Sequence, residues 1–280
     1  MYGAAYPTIQ SQGCSLAVKW AVLSDAVMPV ERGRDMQKLR FNWVSCLDLL
    51  FPPRCTVCSE VTPIGTAVCP ECVLRLPEKL FSTDRCGICG KPFDSCVCGE
   101  LPFYFSCCVS AFFYEPETHY LINCLKTQPQ SPASNQLAAL MAEAFVTLGL
   151  AGTGCFDAVT EVPMSADNVE KRGHNQAKTL AEKLAARLNV PYQPSPLICD
   201  KKKQAQHTLS YSQRFENAQK SYQRPAGAAC AGRVLLIDDV MTTGATLDRC
   251  AQLLRQCGAT EVCCLTAATT PRRGDSALPL

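Results

Sequence analysis

The sequence lacks a long apolar run, a signal-peptide pattern and a strong excess of either charge. No segment reaches the roughly 20 consecutive apolar residues that a transmembrane helix needs, and none joins a cationic start to a short apolar stretch. With 27 Lys and Arg against 25 Asp and Glu, the net charge of +2 gives no global indication of nucleic-acid binding. We therefore expect a cytoplasmic protein without a membrane span, in which any contact with nucleic acid comes from a local patch.

Cysteine, in contrast, is abundant. The 280 residues include 20 cysteines and are 47% hydrophobic, enough to bury a sizeable core in one full domain beside a smaller one. In a reducing compartment, thiols act as metal ligands or as small core side chains rather than as disulfides. The eight cysteines from Cys55 to Cys98 are expected to bind metal, and those from Cys250 onward are expected to pack in the core.

Paired cysteines predict zinc sites. In the first set, two CxxC pairs point four thiolates at one centre and complete a tetrahedron. The second set is less regular because its last pair is a CxC, and interleaved pairing of the two sets stays open. Without metal, this Pro- and Gly-rich segment would have almost no core. The predicted ligands are Cys55, Cys58, Cys69 and Cys72 in the first set, and Cys86, Cys89, Cys96 and Cys98 in the second.

A stretch near the C-terminus carries the clearest indication of a binding site. Residues 234–237 are apolar and run into Asp238 and Asp239, which predicts a buried parallel strand with carboxylates at its C-terminal edge, where open α/β sheets bind ligands. A small, hydroxyl-rich turn follows and leads into a helical pattern that ends at Gly258. We call this turn the phosphate cup; it consists of Thr242, Thr243, Gly244, Ala245 and Thr246.

The order strand, cup and helix favours a ligand with a phosphate and a sugar. The N–H groups and the positive dipole of a helix N-terminus attract a phosphate monoester, and threonine hydroxyls add donors. Two adjacent carboxylates suit ribose hydroxyls, or a Mg2+ ion that carries the ligand's phosphates. The alternative is a buried strand whose aspartates merely cap the following helix.

The remaining periodicity predicts an α/β domain without internal repeats. Loops are expected over residues 128–135 and 165–176. In the second loop, Lys171, Arg172 and Gly173 would grip a pyrophosphate, although such a cluster is more often a solvated loop. Strands are predicted over residues 106–114, 156–164 and 261–268, and helices over residues 37–50, 119–126, 136–148 and 177–188.

Taken together, these segments resemble the ComF family, whose members join an N-terminal cysteine-rich zinc module to a phosphoribosyltransferase-like domain. Residues 234–246 are similar to the motif with which type I phosphoribosyltransferases hold phosphoribosyl pyrophosphate (PRPP). The sequence departs from the family where an aromatic residue is usual, with His174 after Gly173 and Thr127 after Lys126. The other matching segments are residues 50–55, the CxxC pairs, residues 125–126, 162–163 and 172–176, and the pattern Gln206-x2-Leu209-x4-Arg214-x2-Asn217.

The resemblance implies a type I phosphoribosyltransferase-like parallel sheet flanked by helices, with a small N-terminal zinc module. It implies that Asp238 and Asp239 contact the ribose of PRPP, with Mg2+, and that the phosphate cup holds the 5-phosphate. The expected segments are a poorly ordered leader (1–40), a helix with the cysteine-rich module (41–102), the phosphoribosyltransferase-like domain (103–270) and a tail (271–280).

Two functions are compatible with this architecture. One is a PRPP-binding protein linked to DNA uptake or competence, with single-stranded DNA or DNA-uptake proteins as partners. The other is an active phosphoribosyltransferase whose acceptor is unidentified. A surface for single strands would combine cations with stacking aromatic rings. The candidates are Arg54, Arg75, Lys79, Arg85 and Lys91 with Phe81, Phe93, Phe103 and Tyr104.

Overall fold

The structure, a computed structural model, describes most of the chain between residues 52 and 270. The leader at 1–40, the helix expected over 37–50 and the tail at 271–280 lie outside the described residues. Among the described helices, none is both long and apolar enough to cross a membrane. The described ranges are residues 52–75, 85–93, 96, 98, 103–129, 131–148, 155–200 and 211–270.

Strands and helices alternate along the described residues, as in other α/β proteins. In chain order the elements are α1 (Pro70–Arg75), β1 (Cys107–Phe113), α2 (Pro116–Thr127), α3 (Pro132–Thr147), β2 (Ala158–Glu161), α4 (Ala166–Arg172), α5 (Gln176–Leu188), β3 (Ile198–Cys199), α6 (Tyr211–Ser221), β4 (Tyr222–Gln223), β5 (Gly232–Met241), α7 (Ala245–Gln256) and β6 (Ala259–Thr269).

The central sheet contains four parallel strands in the order β1-β6-β5-β2. Strand β5 lies between two neighbours, so its side chains are buried on both faces, and this explains its continuous apolar run. Leu235 and Ile237 pack into the layer that holds helices α2, α3 and α5. Val234 and Leu236 pack into the opposite layer with α7. The predicted parallel sheet flanked by helices is confirmed.

Two loops predicted from polar composition are partly helical. Helix α3 begins at Pro132, inside the predicted loop, because proline at the first helical position already has a helical φ and lacks an N–H that would go unpaired. Helix α4 lies inside the predicted loop over 165–176. It buries none of its residues, so it has no apolar periodicity that could indicate a helix.

The first cysteine-rich segment docks on α3 through Gln136. The amide oxygen of this side chain accepts hydrogen bonds from the N–H groups of Ala67, at 3.2 Å, and Val68, at 2.8 Å. Its amide nitrogen donates to the carbonyl oxygen of Val68 at 2.9 Å. Ala67 and Val68 also belong to the same buried cluster as α3, so this segment shares a core with the large domain.

Gln136→Leu is expected to lower the free energy of unfolding by about 2 to 3 kcal/mol, because three backbone groups lose their partner in a partly buried contact. The adjacent variant Asn135→Ala loses only an exposed contact with Lys183 and should change it by less than about 1 kcal/mol. Urea unfolding of both variants checks this. Equal effects would show that the Gln136 contact does not hold the segment in place.

Candidate functional site

The paired carboxylates lie within β5 rather than after it. The predicted strand ended at Asp239, but β5 continues to Met241, because Met241 still pairs with Thr269 of β6. Both carboxylates are half-buried, and each accepts the N–H of the next residue, at 2.9 Å for Asp238 and 2.7 Å for Asp239. They therefore occupy the C-terminal end of the central strand, where the predicted binding crevice lies.

Successive residues of a strand point to opposite faces, so the two carboxylates have different neighbours. Burial raises the pKa of Tyr222 well above its usual value, and the charge of Asp238 is among the lesser causes. Burial also raises the pKa of Tyr114, and there the second cause is the charge of Asp239. Asp238 thus lies on the α7 face of the sheet near Tyr222, and Asp239 lies near Tyr114.

The phosphate cup has the backbone shape of an anion-binding turn. Gly244 is the N-cap of the twelve-residue helix α7 and has φ of 83°, a left-handed conformation that favours glycine. A Cβ at this position would also lie 3.2 Å from the ring of Phe103. The hydroxyl oxygen of Thr243 accepts the N–H of Ala245 at 3.3 Å. The turn thus lies at the N-terminus of a twelve-residue helix, where backbone N–H groups and the helix dipole favour a phosphate.

Arg214 lies beside the cup, and sequence analysis assigned no role to this residue beyond its place in the matching pattern. Helix α6 carries Arg214 to the cup, where its Nη1 donates to the hydroxyl of Thr242 at 3.0 Å. A guanidinium at this position adds a positive charge suited to a phosphate. The cleft at this point is lined by Arg214, Asn217, Ala218, Tyr222, Thr242, Thr243, Ala245 and Thr246.

A second cation reaches the cup from the cysteine-rich region. Lys91 is only 5% exposed, and its Nζ donates to the carbonyl oxygens of Thr242, at 2.6 Å, and Thr270, at 2.7 Å. Lys91 was expected to face single-stranded DNA as part of a basic surface, and this is wrong. Its charge is enclosed and bonded to backbone oxygens, which lower the cost of burying an ammonium group.

The eight cysteines form two separate clusters that follow the sequence order. In each cluster all four sulfur atoms lie within 4.8 Å of one another, so the two sets are not interleaved. The Sγ atoms of Cys58 and Cys69 are 3.7 Å apart. In the second cluster the Cys86–Cys98 and Cys89–Cys96 sulfur distances are 3.6 and 3.7 Å. A tetrahedron with Zn–S bonds of about 2.3 Å has edges of about 3.8 Å, so both clusters fit zinc.

Hydrogen bonds within each cluster favour the thiolate form of one sulfur. In the first cluster, burial raises the pKa of Cys55, but N–H groups including those of Cys58 and Cys69 lower it to about 6. In the second cluster, hydrogen bonding from Cys98 is the main cause that lowers the pKa of Cys89 to about 5. One sulfur in each cluster thus favours the thiolate form, which is the form that binds a metal.

The two CxxC turns are copies of one structure, although no repeat was apparent in the sequence. Residues 54–61 and 85–92 each begin and end at an isolated antiparallel bridge, between Arg54 and Val61 and between Arg85 and Pro92. The residue after the second cysteine has a left-handed backbone in both, with φ of 64° at Ser59 and 68° at Gly90. The repeat was missed because few side chains other than the cysteines are shared.

The predicted pyrophosphate loop ends a helix. Lys171 and Arg172 are exposed in the last turn of α4, and Gly173 ends this helix with φ of 77°. Asn175 caps α5, and its Nδ2 donates to the carbonyl oxygen of Val162 at 3.0 Å, next to the end of β2. Gly173 and Asn175 therefore have structural roles in the segment 172–176, and pyrophosphate binding by Lys171 and Arg172 stays a prediction.

His174 connects the segment 172–176 to helix α2. Its Nε2 lies 2.7 Å from the carbonyl oxygen of Leu125, and its Nδ1 lies 3.1 Å from that of Arg172. Both partners are backbone acceptors, which indicates a structural role for this histidine.

Of the aromatic residues predicted to stack on single strands, Phe93 and Tyr104 are 50% and 46% exposed.

Phe103 does not belong to such an exposed surface. Its ring stacks on Phe105 at a centroid distance of 4.5 Å and lies near Phe215 of α6 at 6.4 Å. Together with its contact at Gly244, this position makes Phe103 part of the packing that supports the cup. Phe81 and Lys79, two further members of the predicted surface, lie outside the described residues.

Comparison with known families assigns the two parts of the chain separately. Residues 173–278 match the phosphoribosyl transferase domain family, and residues 46–107 match the double zinc ribbon domain family. The first match includes the phosphate cup and both carboxylates, and the second includes all eight clustered cysteines. We therefore call the two cysteine clusters the first and second zinc sites.

Similar whole proteins are named for competence and DNA use. The chain is 27% identical over 210 residues to the DNA utilization protein YhgH of Escherichia coli strain K12, covering 74% of this chain and 86% of that protein. It is 28% identical over 231 residues to Competence protein F of Haemophilus influenzae, with 75% and 93% covered. It is 30% identical over 101 residues to Competence protein ComFC of Streptococcus pneumoniae, with 36% and 43% covered.

Two of these relatives are named competence proteins and one is named a DNA utilization protein, and the domain matches supply both parts of the expected architecture, a double zinc ribbon and a phosphoribosyltransferase-like domain. Together, these findings support the resemblance of the chain to the ComF family.

Proposed function

We propose that this protein binds PRPP, with Mg2+, at the C-terminal edge of its sheet, and uses this site in DNA uptake or in handling imported single-stranded DNA. The observation that carries the proposal is the cup itself, a glycine turn at the N-terminus of α7 that follows paired carboxylates and has Arg214 beside it. The relatives named for competence and DNA utilization support the biological setting.

Each part of the site suits one part of the ligand. The N–H groups of the cup and the guanidinium of Arg214 would bind the 5-phosphate. Asp238 and Asp239 would accept hydrogen bonds from ribose hydroxyls or hold Mg2+ through their oxygens. Mg2+ would neutralise the pyrophosphate, and Lys171 and Arg172, with Gly173 allowing the turn, are proposed to approach it from the end of α4.

Catalytic transfer of phosphoribose to an acceptor is the second candidate. The match to the phosphoribosyl transferase domain family favours it, because binding PRPP is the first step of such a reaction. Incubation with PRPP, Mg2+ and nucleobases or other nitrogen acceptors separates the two functions. Release of pyrophosphate that depends on the acceptor would establish an enzyme, and binding without release would establish a PRPP-binding protein.

Single-stranded DNA and DNA-uptake proteins are the proposed partners. Phe93 and Tyr104 supply exposed aromatic rings near the zinc sites, and base stacking on such rings tolerates any sequence. The proposed zinc thiolates require a reducing compartment, so we place this function in the cytoplasm.

Arg214→Gln is expected to weaken PRPP binding by roughly 10- to 150-fold, since a hydrogen bond to a charged group contributes about 1.5 to 3 kcal/mol. Arg224→Gln, an exposed arginine outside the cleft lining, is the matched control and should bind within twofold of wild type. Isothermal titration with PRPP and Mg2+ measures both. Equal dissociation constants for the two variants would remove Arg214 from the proposed site.

A further inference from the structure

We propose that Lys91 is a positioning residue of the phosphate cup, through which the second zinc site controls the affinity of the cup for its ligand. The identity of the ligand rests on the proposed function. The coupling itself rests on contacts between the second CxxC turn and the cup, which the sequence places 151 residues apart.

The two copies of the CxxC turn show that zinc binding does not itself require this lysine. In the first copy the backbone oxygen of Glu60 accepts the N–H of Cys55 at 2.7 Å, and in the second that of Lys91 accepts the N–H of Cys86 at 2.9 Å. The two residues are thus equivalent in backbone structure. Their side chains differ, because Glu60 is exposed and Lys91 is buried against the large domain.

The ammonium group of Lys91 joins the chain segments that leave the two central strands. Thr242 directly follows β5 and Thr270 directly follows β6, and the carbonyl oxygens of both accept from Nζ. Thr242 is also the first residue of the cup. Lys91 therefore fixes where the cup begins relative to the sheet.

This contact sets the orientation of a peptide unit in the cup. The carbonyl of Thr242 and the N–H of Thr243 belong to one planar trans peptide, so they point in opposite directions. With the carbonyl held by Lys91, the N–H of Thr243 faces away from the zinc turn. A cup binds an anion by directing such N–H groups at it, and a fixed carbonyl reduces the ordering cost of binding. The buried positive charge adds electrostatic attraction.

The second zinc site holds Lys91 in place. Gly90 donates its N–H to the carbonyl of Cys86 at 2.9 Å, which closes the turn between two metal ligands. The N–H of Cys108, in β1, donates to the carbonyl of Ile88 at 2.7 Å and fastens the turn to the sheet. A Cβ at Gly90 would collide with the carbonyl oxygen of Cys108. A metal that fixes both cysteines thereby fixes the residue that follows them.

The first test compares Lys91→Met with Glu60→Met, its structural equivalent in the first copy, in the full zinc-loaded chain. Both variants should retain two zinc ions per chain, since neither removes a ligand. Lys91→Met is expected to raise the dissociation constant for PRPP with Mg2+ at least tenfold, about 1.4 kcal/mol, and Glu60→Met to stay within twofold of wild type.

Hydrogen exchange of ligand-free protein keeps this test independent of the ligand's identity. The amides of residues 242–246 should exchange faster in Lys91→Met than in Glu60→Met. If wild-type protein binds no PRPP, the proposed function fails, and the exchange rates still decide the coupling. A Lys91→Met protein that matches Glu60→Met in both exchange and PRPP binding overturns the proposal.

Reciprocal coupling supplies a readout that does not depend on how well a Lys91 variant folds. If the second zinc favours PRPP binding, bound PRPP must favour retention of that zinc to the same extent. At equilibrium with a competing colorimetric chelator, the protein should therefore retain more of the second zinc when PRPP and Mg2+ are present. Cys58→Ser protein, which is expected to carry only the second zinc, isolates this equilibrium. Equal retention with and without a PRPP concentration shown to saturate wild type would overturn the proposal.

Discussion

Replacing both Asp238 and Asp239 by asparagine is expected to weaken PRPP binding by at least tenfold, while the melting temperature of the ligand-free protein changes little or rises. Each of the two carboxylates would lose a hydrogen bond worth about 1.5 to 3 kcal/mol. The dissociation constant for PRPP should therefore rise more than tenfold, even when the two effects are not additive. The melting temperature should change little because an asparagine side-chain oxygen can still accept the hydrogen bond from the backbone N–H that each carboxylate accepts now.

Asp157→Asn is the matched control for this double variant. Asp157 lies at the opposite edge of the same sheet, where its Oδ2 accepts the N–H of Arg233 at 2.7 Å. Its substitution should leave PRPP binding unchanged. Because Asp238 and Asp239 point to opposite faces, the two single variants would show how the binding energy divides between them. If the double variant binds PRPP as tightly as wild type, the two aspartates have a structural role and do not bind the ligand.

Cys55→Ser is expected to have the largest effect on the zinc content and on the first zinc ribbon. The variant should contain one zinc ion per chain instead of two, and residues 52–75 should unfold, because binding of a structural zinc and folding of its ribbon are coupled. Cys55 is buried in the same cluster as α3, so we also expect the melting temperature of the whole protein to fall by several degrees.

Cys124→Ser controls for the loss of a thiol as such, since Cys124 is a partly buried cysteine of α2 outside both zinc sites. It should retain two zinc ions. Metal analysis and thermal unfolding of the two variants decide the assignment, and a full complement of two zinc ions in Cys55→Ser would contradict it.

Local pattern was enough to predict the sheet and the candidate cup. Buried parallel strands have apolar runs on both faces, so residues 234–237 could be recognised without knowing their neighbours. The turn at Gly244 followed from the small residues before a helical period. The predicted end of the strand at Asp239 was wrong. Pairing with β6 extends β5 beyond the carboxylates to Met241, and this pairing cannot be read from the local sequence. Helix α4 was missed because a helix that buries none of its residues has no apolar period.

Two residues of the candidate site could not be predicted from local pattern. Arg214 and Lys91 reach Thr242 from 28 and 151 residues away in the sequence. Lys91 was interpreted as a surface cation because lysine is rarely buried, and only the fold shows the two carbonyl oxygens that make burial possible. The pairing of the cysteines was likewise open until the fold separated them into two clusters.

Titration of the wild-type chain with PRPP in the presence of Mg2+ tests the central claim most directly. The account predicts one PRPP bound per chain, weaker binding when Mg2+ is omitted, and competition by ribose 5-phosphate, which shares the sugar and the 5-phosphate but lacks the pyrophosphate. Zinc-loaded, folded protein that shows no binding at millimolar PRPP would contradict it, and the strand, cup and helix would then be a structural element of this fold without a phosphoribosyl ligand.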